Sequence, residues 1–231
     1  MLPQSKGKIF LADERGLNQL DWFRSYNTFN FGKYYNEHKT PFGALYVLNE
    51  DTLAPGRSIT MEVEEDSDII LIPVVGAVTW RDSAGNTALR GAGQSLYYSA
   101  PKGTSITISN PYEDALVNFL QIWIKKPATA TAAALQLCDF DLNNHKDRLL
   151  PIFNNRILLG QFNGRAETTL PLPPGASGLF VFVIQGAFEV QYRLMNAKDG
   201  LALWDLQEIE LEALSNEAIV LVVPIPAHMQ P

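Results

Sequence analysis

Two stretches of the chain repeat one arrangement of apolar residues and turns. Each opens on a Pro-Gly pair, Pro55-Gly56 or Pro174-Gly175, and continues into an apolar run, at residues 69–75 and 179–184. In both stretches a glycine then interrupts the run and apolar residues alternate with others. A short apolar run between turn residues is typical of a buried strand. Strict alternation of apolar and polar residues is typical of a strand with one buried face. The repeat therefore predicts two similar all-β domains in tandem.

Period-two alternation extends over most of the chain, and helical periodicity is scarce. The strands that it predicts are residues 43–48, 58–64, 68–75, 77–81, 87–90, 95–98, 104–109, 115–124, 179–184, 188–192, 201–204, 207–213 and 218–223. Between the two halves, residues 125–134 are rich in alanine and threonine and indicate a connector. We expect an N-terminal domain over residues 1–125, a connector over 126–146 and a C-terminal domain over 147–231.

Charge and length exclude several classes of function. The 231 residues are 46% hydrophobic, enough for large cores, and carry a net charge of -7. Nucleic acids and anionic membranes require clustered basic residues, so we expect neither as a partner. The apolar runs are shorter than the roughly 20 residues that span a bilayer. The single Cys138 excludes an intrachain disulfide, and no apolar leader follows Met1. We expect a cytoplasmic protein.

Two groups of residues stand at fixed spacings in the first half. The first group is Gly56, Glu62, Glu64, Asp68 and Gly76, and the second is Pro101, Gly103, Ile106 and Asn110. This spacing resembles the two metal motifs of cupins, with carboxylates in place of the paired histidines and isoleucine in place of the later one. The resemblance implies a jelly-roll β-barrel.

A longer resemblance covers nearly the whole chain. The block from Pro55 to Asn86 is similar, without a gap, to the pirin family of bicupins, which have two tandem cupin domains. Further pieces that resemble the family are Trp22 and residues 28–32, 48–51, 120–124, 199–201 and 223–224. Each piece alone is unspecific, but their order along the chain is specific. The implied fold is an all-β bicupin.

The resemblance also implies where a metal would lie. Pirins with metal hold a non-haem iron through three histidines and one glutamate, and some are similar to quercetin 2,3-dioxygenases. The corresponding positions here are Glu62, Glu64, Ile106 and Ile108, none of which is the family's residue. The three histidines, His38, His145 and His228, lie outside both motifs. Isoleucine has no lone pair for a metal. We therefore expect no metal cofactor and no dioxygenase of the usual pirin type.

Two functions follow as hypotheses, and a third hypothesis is a structural or regulatory protein without a small ligand. The first is non-catalytic binding of a small molecule or a protein partner, with a pocket in the N-terminal barrel lined by Glu62, Glu64, Ile106 and Ile108. The alternative is a quercetin 2,3-dioxygenase-like oxygenase with an unusual or relocated metal site. Glu62, Glu64 and Asp68 would form a hard-cation site if they shared one face. They would form a solvated acidic segment if they did not.

For the other candidate functional residues, the sequence favours structural roles. Cys138 has no neighbouring basic residue to activate it, so a packed thiol is favoured over a redox sensor. Ser95 lacks the second glycine of a nucleophile elbow, and residues 91–93 indicate a β-turn rather than a phosphate loop. Four aromatic residues would line a ligand pocket or belong to the core: Trp80, Tyr97, Tyr98 and Trp123.

Overall fold

The computed structural model describes residues 5–126 and 134–227. The chain forms two units, and these residues lie in one unit over 16–140 and in another that combines 5–15 with 141–227. In this part of the chain the regular structure is β-strand apart from two short 3₁₀ turns, Ala12–Glu14 and Asn143–His145. None of its helices is both long and apolar enough to cross a membrane. The predicted fold, two tandem cupin domains, is confirmed.

The strands are numbered in chain order. The first eleven are β1 (Lys6–Phe10), β2 (Gly16–Gln19), β3 (Phe23–Asn27), β4 (Leu45–Leu53), β5 (Ser58–Glu62), β6 (Ser67–Val75), β7 (Ala77–Asp82), β8 (Thr87–Gly91), β9 (Gln94–Ala100), β10 (Ser105–Ser109) and β11 (Val117–Lys125). The remaining strands are β12 (Ala134–Asp139), β13 (Arg148–Ile152), β14 (Ile157–Phe162), β15 (Glu167–Pro171), β16 (Ala176–Gln185), β17 (Ala187–Val190), β18 (Arg193–Asn196), β19 (Gly200–Trp204), β20 (Glu208–Ala213) and β21 (Ala218–Pro226).

The unit of residues 16–140, called the N-terminal barrel below, consists of two antiparallel sheets. One has seven strands in the order β12-β9-β6-β11-β4-β3-β2, and the other has four in the order β5-β10-β7-β8. Residues from both sheets form one buried cluster, which includes Leu71 and Phe119 from the larger sheet and Trp80 and Ile106 from the smaller one. The core therefore lies between the sheets, where alternate side chains of each strand point inward.

The second unit, called the C-terminal barrel, has the same construction. Its sheets have the strand orders β1-β19-β16-β21-β14-β13 and β15-β20-β17-β18. Its buried cluster contains Phe162, Val181 and Phe188, among others. The rings of Phe162 and Phe188 meet edge to face with centroids 5.7 Å apart, a favourable arrangement for aromatic pairs.

The units differ from the predicted ranges 1–125, 126–146 and 147–231 at both junctions. Strand β1 pairs with β19, Lys6 opposite Trp204, and so belongs to the C-terminal barrel. Strand β12 pairs with β9, Ala134 opposite Ser99, and so belongs to the N-terminal barrel. Edge strands add to a sheet through backbone hydrogen bonds, which leave little trace in the sequence. Residues 127–133, a third of the predicted connector, lie outside the described residues.

The repeated glycines that interrupt the apolar runs have the same structural role in both barrels. Gly76 joins β6 to β7 with φ +74°, and Gly186 joins β16 to β17 with φ +78°. A Cβ atom at Gly76 would lie 3.0 Å from the Val117 side chain, and one at Gly186 would lie 2.9 Å from Ala218 Cβ. Glycine alone has no Cβ to meet these neighbours and adopts positive φ at little cost.

Most of the predicted strands are confirmed, with ends that differ by a few residues. The strand predicted at 43–48 is displaced, because β4 runs from Leu45 to Leu53. Polar residues in its second half hid its continuation, although three of the five residues from Asn49 to Leu53 are buried and the other two are half-buried. Eight short or polar strands were not predicted: β1, β2, β3, β12, β13, β14, β15 and β18.

Candidate functional site

Three of the four predicted pocket residues, Glu62, Ile106 and Ile108, lie on the neighbouring strands β5 and β10, and Glu64 lies two residues beyond the end of β5. In this antiparallel pair Met61 is opposite Ile106, and Ile59 is opposite Ile108. Ile106 and Ile108 are 0% and 1% exposed and belong to the core of the N-terminal barrel. Glu62 is opposite Ser105 and is exposed.

The structure therefore does not bring Glu62 and Glu64 to the face that Ile106 and Ile108 occupy. Both glutamates are exposed, whereas Val63 between them is buried in the core. Side chains alternate between the two faces of a strand, so a difference of one residue in register exchanges the inward and outward sets. The inward positions of this segment are thus Met61 and Val63, and the predicted pocket lining requires that correction.

The donors present do not fit the iron site that the resemblance implies. Ile106 and Ile108 offer no lone pair, and Glu62 and Glu64 are directed away from them. Asp68, the third acid of the hard-cation hypothesis, is buried and accepts a hydrogen bond of 2.7 Å from the Tyr97 hydroxyl. Residues 5–126 and 134–227 contain no group of three or more His, Cys, Asp or Glu side chains that could hold a metal ion.

Neither of the two described histidines belongs to the core of the N-terminal barrel. His38 is exposed, with Nε2 3.6 Å from a carboxylate oxygen of Glu37. His145 is in a 3₁₀ turn of the second unit, where Nδ1 is 2.8 Å from the Asp141 carbonyl oxygen. His228 lies outside the described residues.

Five of the polar side chains that are buried in the N-terminal barrel lie instead on one face of its large sheet. We call them the interior polar cluster: Ser25, Asn27, Asn49, Asp51 and Gln121. They share one face of the large sheet, because Asn49 is opposite both Asn27 and Gln121, and Asp51 is opposite both Ser25 and Phe119. Phe119 is a core residue, so this face is the one that looks into the barrel.

Hydrogen bonds fix the orientation of part of the cluster. The Trp123 indole Nε1 donates to Gln121 Oε1 at 3.2 Å. Because an indole N–H can only donate, the Gln121 amide oxygen faces Trp123 and its nitrogen faces Asp51. Gln121 Nε2 donates to Asp51 Oδ2 and lies 3.7 Å from Met61 Sδ. The Ser25 hydroxyl donates its one proton to Asn27 Oδ1 at 2.8 Å.

Several atoms of the same cluster have no hydrogen-bond partner among the described residues. They are both amide atoms of Asn49, the nitrogen Nδ2 of Asn27 and the oxygen Oδ1 of Asp51. Asn49 is 0% exposed and Asp51 is 1% exposed. A buried polar group without a partner costs about 1–3 kcal/mol, and native proteins satisfy most such groups. The cluster therefore concentrates hydrogen-bonding capacity that the protein itself does not use.

Burial sets the electrostatics of Asp51. It raises the pKa of this carboxyl from 3.8 to about 6, because the charged form loses its hydration. The hydrogen bond from the Gln121 amide opposes the shift, and the charge of Glu50 adds to it. No Lys, Arg or His among the described residues forms an ion pair with Asp51. At neutral pH Asp51 is thus an ionised carboxylate inside the barrel, without a counter-charge among the described residues.

Sequence reasoning missed the interior polar cluster, although a signal for it existed. Residues 48–51 were recognised as resembling the family, but no role was predicted for them. Val47, Asn49, Asp51 and Leu53 are spaced by two, so they share one face of a strand, and the apolar residues at both ends mark that face as buried. Polar residues at positions that alternation assigns to a core are the pattern that identifies such a cluster.

The aromatic candidates belong to the core. Of the two roles predicted for them, lining a ligand pocket and packing in the core, the second is the one observed. All four are at most 3% exposed: Trp80, Tyr97, Tyr98 and Trp123. The rings of Trp80 and Tyr98 pack with centroids 4.8 Å apart. Burial, followed by the nearby Asp82, raises the pKa of Tyr98 to about 12, so its hydroxyl stays protonated.

The remaining sequence candidates are structural as well. Cys138 lies on strand β12, and burial together with Asp139 raises the pKa of its thiol, which disfavours the reactive thiolate. Residues Ala92 and Gly93 form the turn that joins β8 to β9, as predicted.

The C-terminal barrel carries a row of acidic residues on its small sheet. Glu212 on β20 is opposite Glu167 on β15 and also opposite Glu189 on β17. With Glu210 they line a cavity of about 500 Å³. Glu212 accepts a hydrogen bond of 2.7 Å from Arg165. Like charges at facing positions repel, so this row opposes the pairing of its strands.

Two antiparallel sheets around an apolar core, present twice in one chain, define a bicupin. The comparison with family models is specific: the model described as "Pirin" matches residues 11–124, and the model described as "Quercetinase C-terminal cupin domain" matches residues 144–223. The chain belongs to the pirin family.

Relatives and solved structures agree over most of the length. The chain is 27% identical to a putative quercetin 2,3-dioxygenase of Pasteurella multocida, over 93% of this chain and 97% of the relative. It is 26% identical to the quercetin 2,3-dioxygenase of Escherichia coli, over 91% and 95% of the two chains. The crystal structure of YhhW from Escherichia coli superposes with a TM-score of 0.83 at 23% identity, over 97% of this chain and 100% of the other. A nickel(II) complex of the same protein gives a TM-score of 0.82 at 22% identity, over 96% and 100%.

Proposed function

We propose that this pirin-family protein binds a small molecule inside its N-terminal barrel without a metal ion. The support lies in the two sets of residues described above. The positions that resemble the family's iron ligands are divided between opposite faces of the sheet, whereas the interior polar cluster gathers unused donors and acceptors on one face. We place this binding in the cytoplasm.

The main support for the proposal is the side-chain amide of Asn49, which has no hydrogen-bond partner among the described residues. An asparagine that is 0% exposed and leaves both its oxygen and its nitrogen without a partner loses its hydration on folding and regains nothing from the protein. A molecule that hydrogen-bonds both atoms would restore this loss. Sites for small molecules typically combine apolar walls with a few such polar groups, and Phe119 and Ile106 belong to the same core.

Thermal unfolding in the presence of a chelator tests metal-free binding. We expect at least one compound from a panel of small amines, alcohols, amides, acids and flavonols to raise the Tm, because a ligand bound to the native state stabilises it by about 2.7 kcal/mol at a hundred times its Kd. The rise should disappear in Asn49→Leu, which removes the amide at similar volume. Thr107→Ala, on the outward face of β10, is the matched control and should keep it.

A panel that leaves the Tm unchanged, or a stabilisation that survives in Asn49→Leu, would contradict metal-free binding in this barrel. Stabilisation that appears only after a transition metal is added would contradict it as well.

The alternative is an oxygenase similar to quercetin 2,3-dioxygenase with an unusual metal site. The specific observation in its favour is that full-length relatives carry this name at 26–27% identity. Such an enzyme would consume quercetin and oxygen only when loaded with metal. The donor set described above predicts no turnover with iron(II), nickel(II), copper(II) or manganese(II), and no stoichiometric metal in protein purified without an affinity tag. Oxygen uptake and elemental analysis measure both, and metal-dependent turnover would establish the alternative.

A further inference from the structure

We propose that the ligand of the N-terminal barrel is a small organic cation, a protonated amine that also carries a hydroxyl or carbonyl oxygen. The inference rests on the proposed function and specifies the ligand class. It follows from the hydrogen-bonding and charge pattern of the interior polar cluster.

The charge of the cluster favours a cation. Asp51 is the one ionisable member of the cluster, and it is 1% exposed. The groups that face it from the neighbouring strands, Ser25, Phe119 and Gln121, are uncharged, and so is Met61 beyond them. The adjacent Glu50 has the same sign as Asp51 and raises its pKa. A buried charge without a partner is costly, so a ligand that brings a positive charge gains more here than a neutral one.

The unpartnered atoms specify the rest of the ligand. Asp51 Oδ1 and Asn49 Oδ1 are acceptors, and an ammonium group supplies three donors. The nitrogens of Asn49 and Asn27 are donors, and they require an acceptor oxygen on the same ligand. Asn49 and Asn27 face each other across the β3–β4 pair, and Asn49 is two residues from Asp51 on one face. The donors and acceptors are therefore adjacent, as the two ends of a short amino alcohol are.

Aromatic and apolar groups border the cluster on the same face. Phe119 is opposite Asp51, and Trp123 is tied to the cluster through Gln121. Aromatic faces attract cations, and apolar walls suit the short carbon chain between the two polar ends.

A matched pair of probes separates charge from hydrogen bonding. Ethanolamine and ethylene glycol differ in that an ammonium replaces one hydroxyl. In chelator-treated full-length protein at about pH 8, we expect ethanolamine at saturating concentration to raise the Tm by about 3 °C or more. Ethylene glycol and ammonium chloride at equal ionic strength should raise it far less. Lowering the pH below that at which Asp51 ionises should abolish the effect of ethanolamine.

Two variants locate the effect. Asp51→Asn keeps the shape of the side chain but removes its charge, and should lose the response to ethanolamine. Asp68→Asn is the control. Asp68 is also a buried aspartate of the large sheet, on β6, but it lies on the face opposite to that of the core residues Ile69 and Leu71. It accepts a hydrogen bond from Tyr97. This control should keep the response. Asn49→Ser provides a second test of the site if Asp51→Asn does not fold.

Three results would overturn the inference: no shift with ethanolamine, an equal shift with ethylene glycol, or an undiminished shift in Asp51→Asn. If a neutral or acidic compound instead stabilises the protein and Asn49→Leu removes that effect, the proposed function survives and the cation inference fails. If no compound does so, both fail.

Discussion

The variant Asp51→Asn should be more stable than the unchanged protein above pH 7, although the substitution removes a charged side chain from the centre of a barrel. The folded protein holds the pKa of Asp51 at about 6, whereas the ordinary value is 3.8. Between these two values the folded state binds more protons than the unfolded state does. The contribution of Asp51 to stability is therefore fully favourable below about pH 4 and is lost as the pH rises through 6.

The size of the effect follows from the same shift. A difference of one pKa unit corresponds to 1.36 kcal/mol, so the displacement from 3.8 to about 6 corresponds to about 3 kcal/mol. Asparagine does not ionise and lacks this dependence. The stability of Asp51→Asn relative to the unchanged protein should thus rise by about 2–3 kcal/mol between pH 4 and pH 8. Urea unfolding at a series of pH values, followed by tryptophan fluorescence, measures it.

The control for this prediction is Asp68→Asn. Asp68 accepts a hydrogen bond from Tyr97 and lies 3.9 Å from the Lys126 amine, so its carboxylate has partners. Its replacement should destabilise the protein at pH 8, the opposite of the result at Asp51, because it weakens these contacts. Equal pH dependence of Asp51→Asn and the unchanged protein would show that Asp51 does not titrate as its burial requires.

Truncation of the two isoleucines should have the larger effect on stability at any one pH. Ile106 and Ile108 are almost fully buried in the core of the N-terminal barrel. Replacing either with alanine removes buried methyl groups and leaves a cavity, which typically costs 2–5 kcal/mol. Glu62→Ala and Glu64→Ala should change stability by no more than about 0.5 kcal/mol, because both side chains are exposed.

This contrast tests the register of β5 against β10. Three of the four tryptophans, Trp22, Trp80 and Trp123, lie in the N-terminal barrel, so fluorescence reports chiefly on its unfolding. The two glutamate variants serve as controls for the two isoleucine variants, because Glu62 is opposite Ser105 and not opposite Ile106. A loss of 2 kcal/mol or more in Glu62→Ala, together with tolerance of Ile106→Ala, would place the glutamate inside and the isoleucine outside.

Much of the fold could be predicted, because local patterns report it directly. The apolar runs that lead to Gly76 and Gly186 identified the central strands of both barrels, and their likeness identified the duplication. Long strands buried on both faces have a strong signal of this kind. The edge strands β1 and β12 could not be predicted, since pairing at an edge depends on backbone atoms that every residue has.

The candidate site was predictable only in part. The spacing of Glu62, Glu64 and Ile106 singled out two segments that form or adjoin the paired strands β5 and β10. It did not indicate which residues of the pair point inward, because sequence spacing is the same for both faces of a strand. The interior polar cluster draws Asn27, Asn49 and Gln121 from three strands. Only the pairing of distant strands makes these residues neighbours.

The sequence by itself determined the class of the protein: an all-β bicupin of the pirin family, without imidazole at the positions that resemble the family's iron ligands. Composition, alternation and spacing are properties of the sequence itself, and they do not depend on how the chain folds. The tertiary structure alone decided which polar residues share the interior of the first barrel and which of their atoms lack a partner. Alternation along β4 marks Asn49 and Asp51 as inward positions, but the register between strands and the loss of water around these two residues are properties of the assembled sheets.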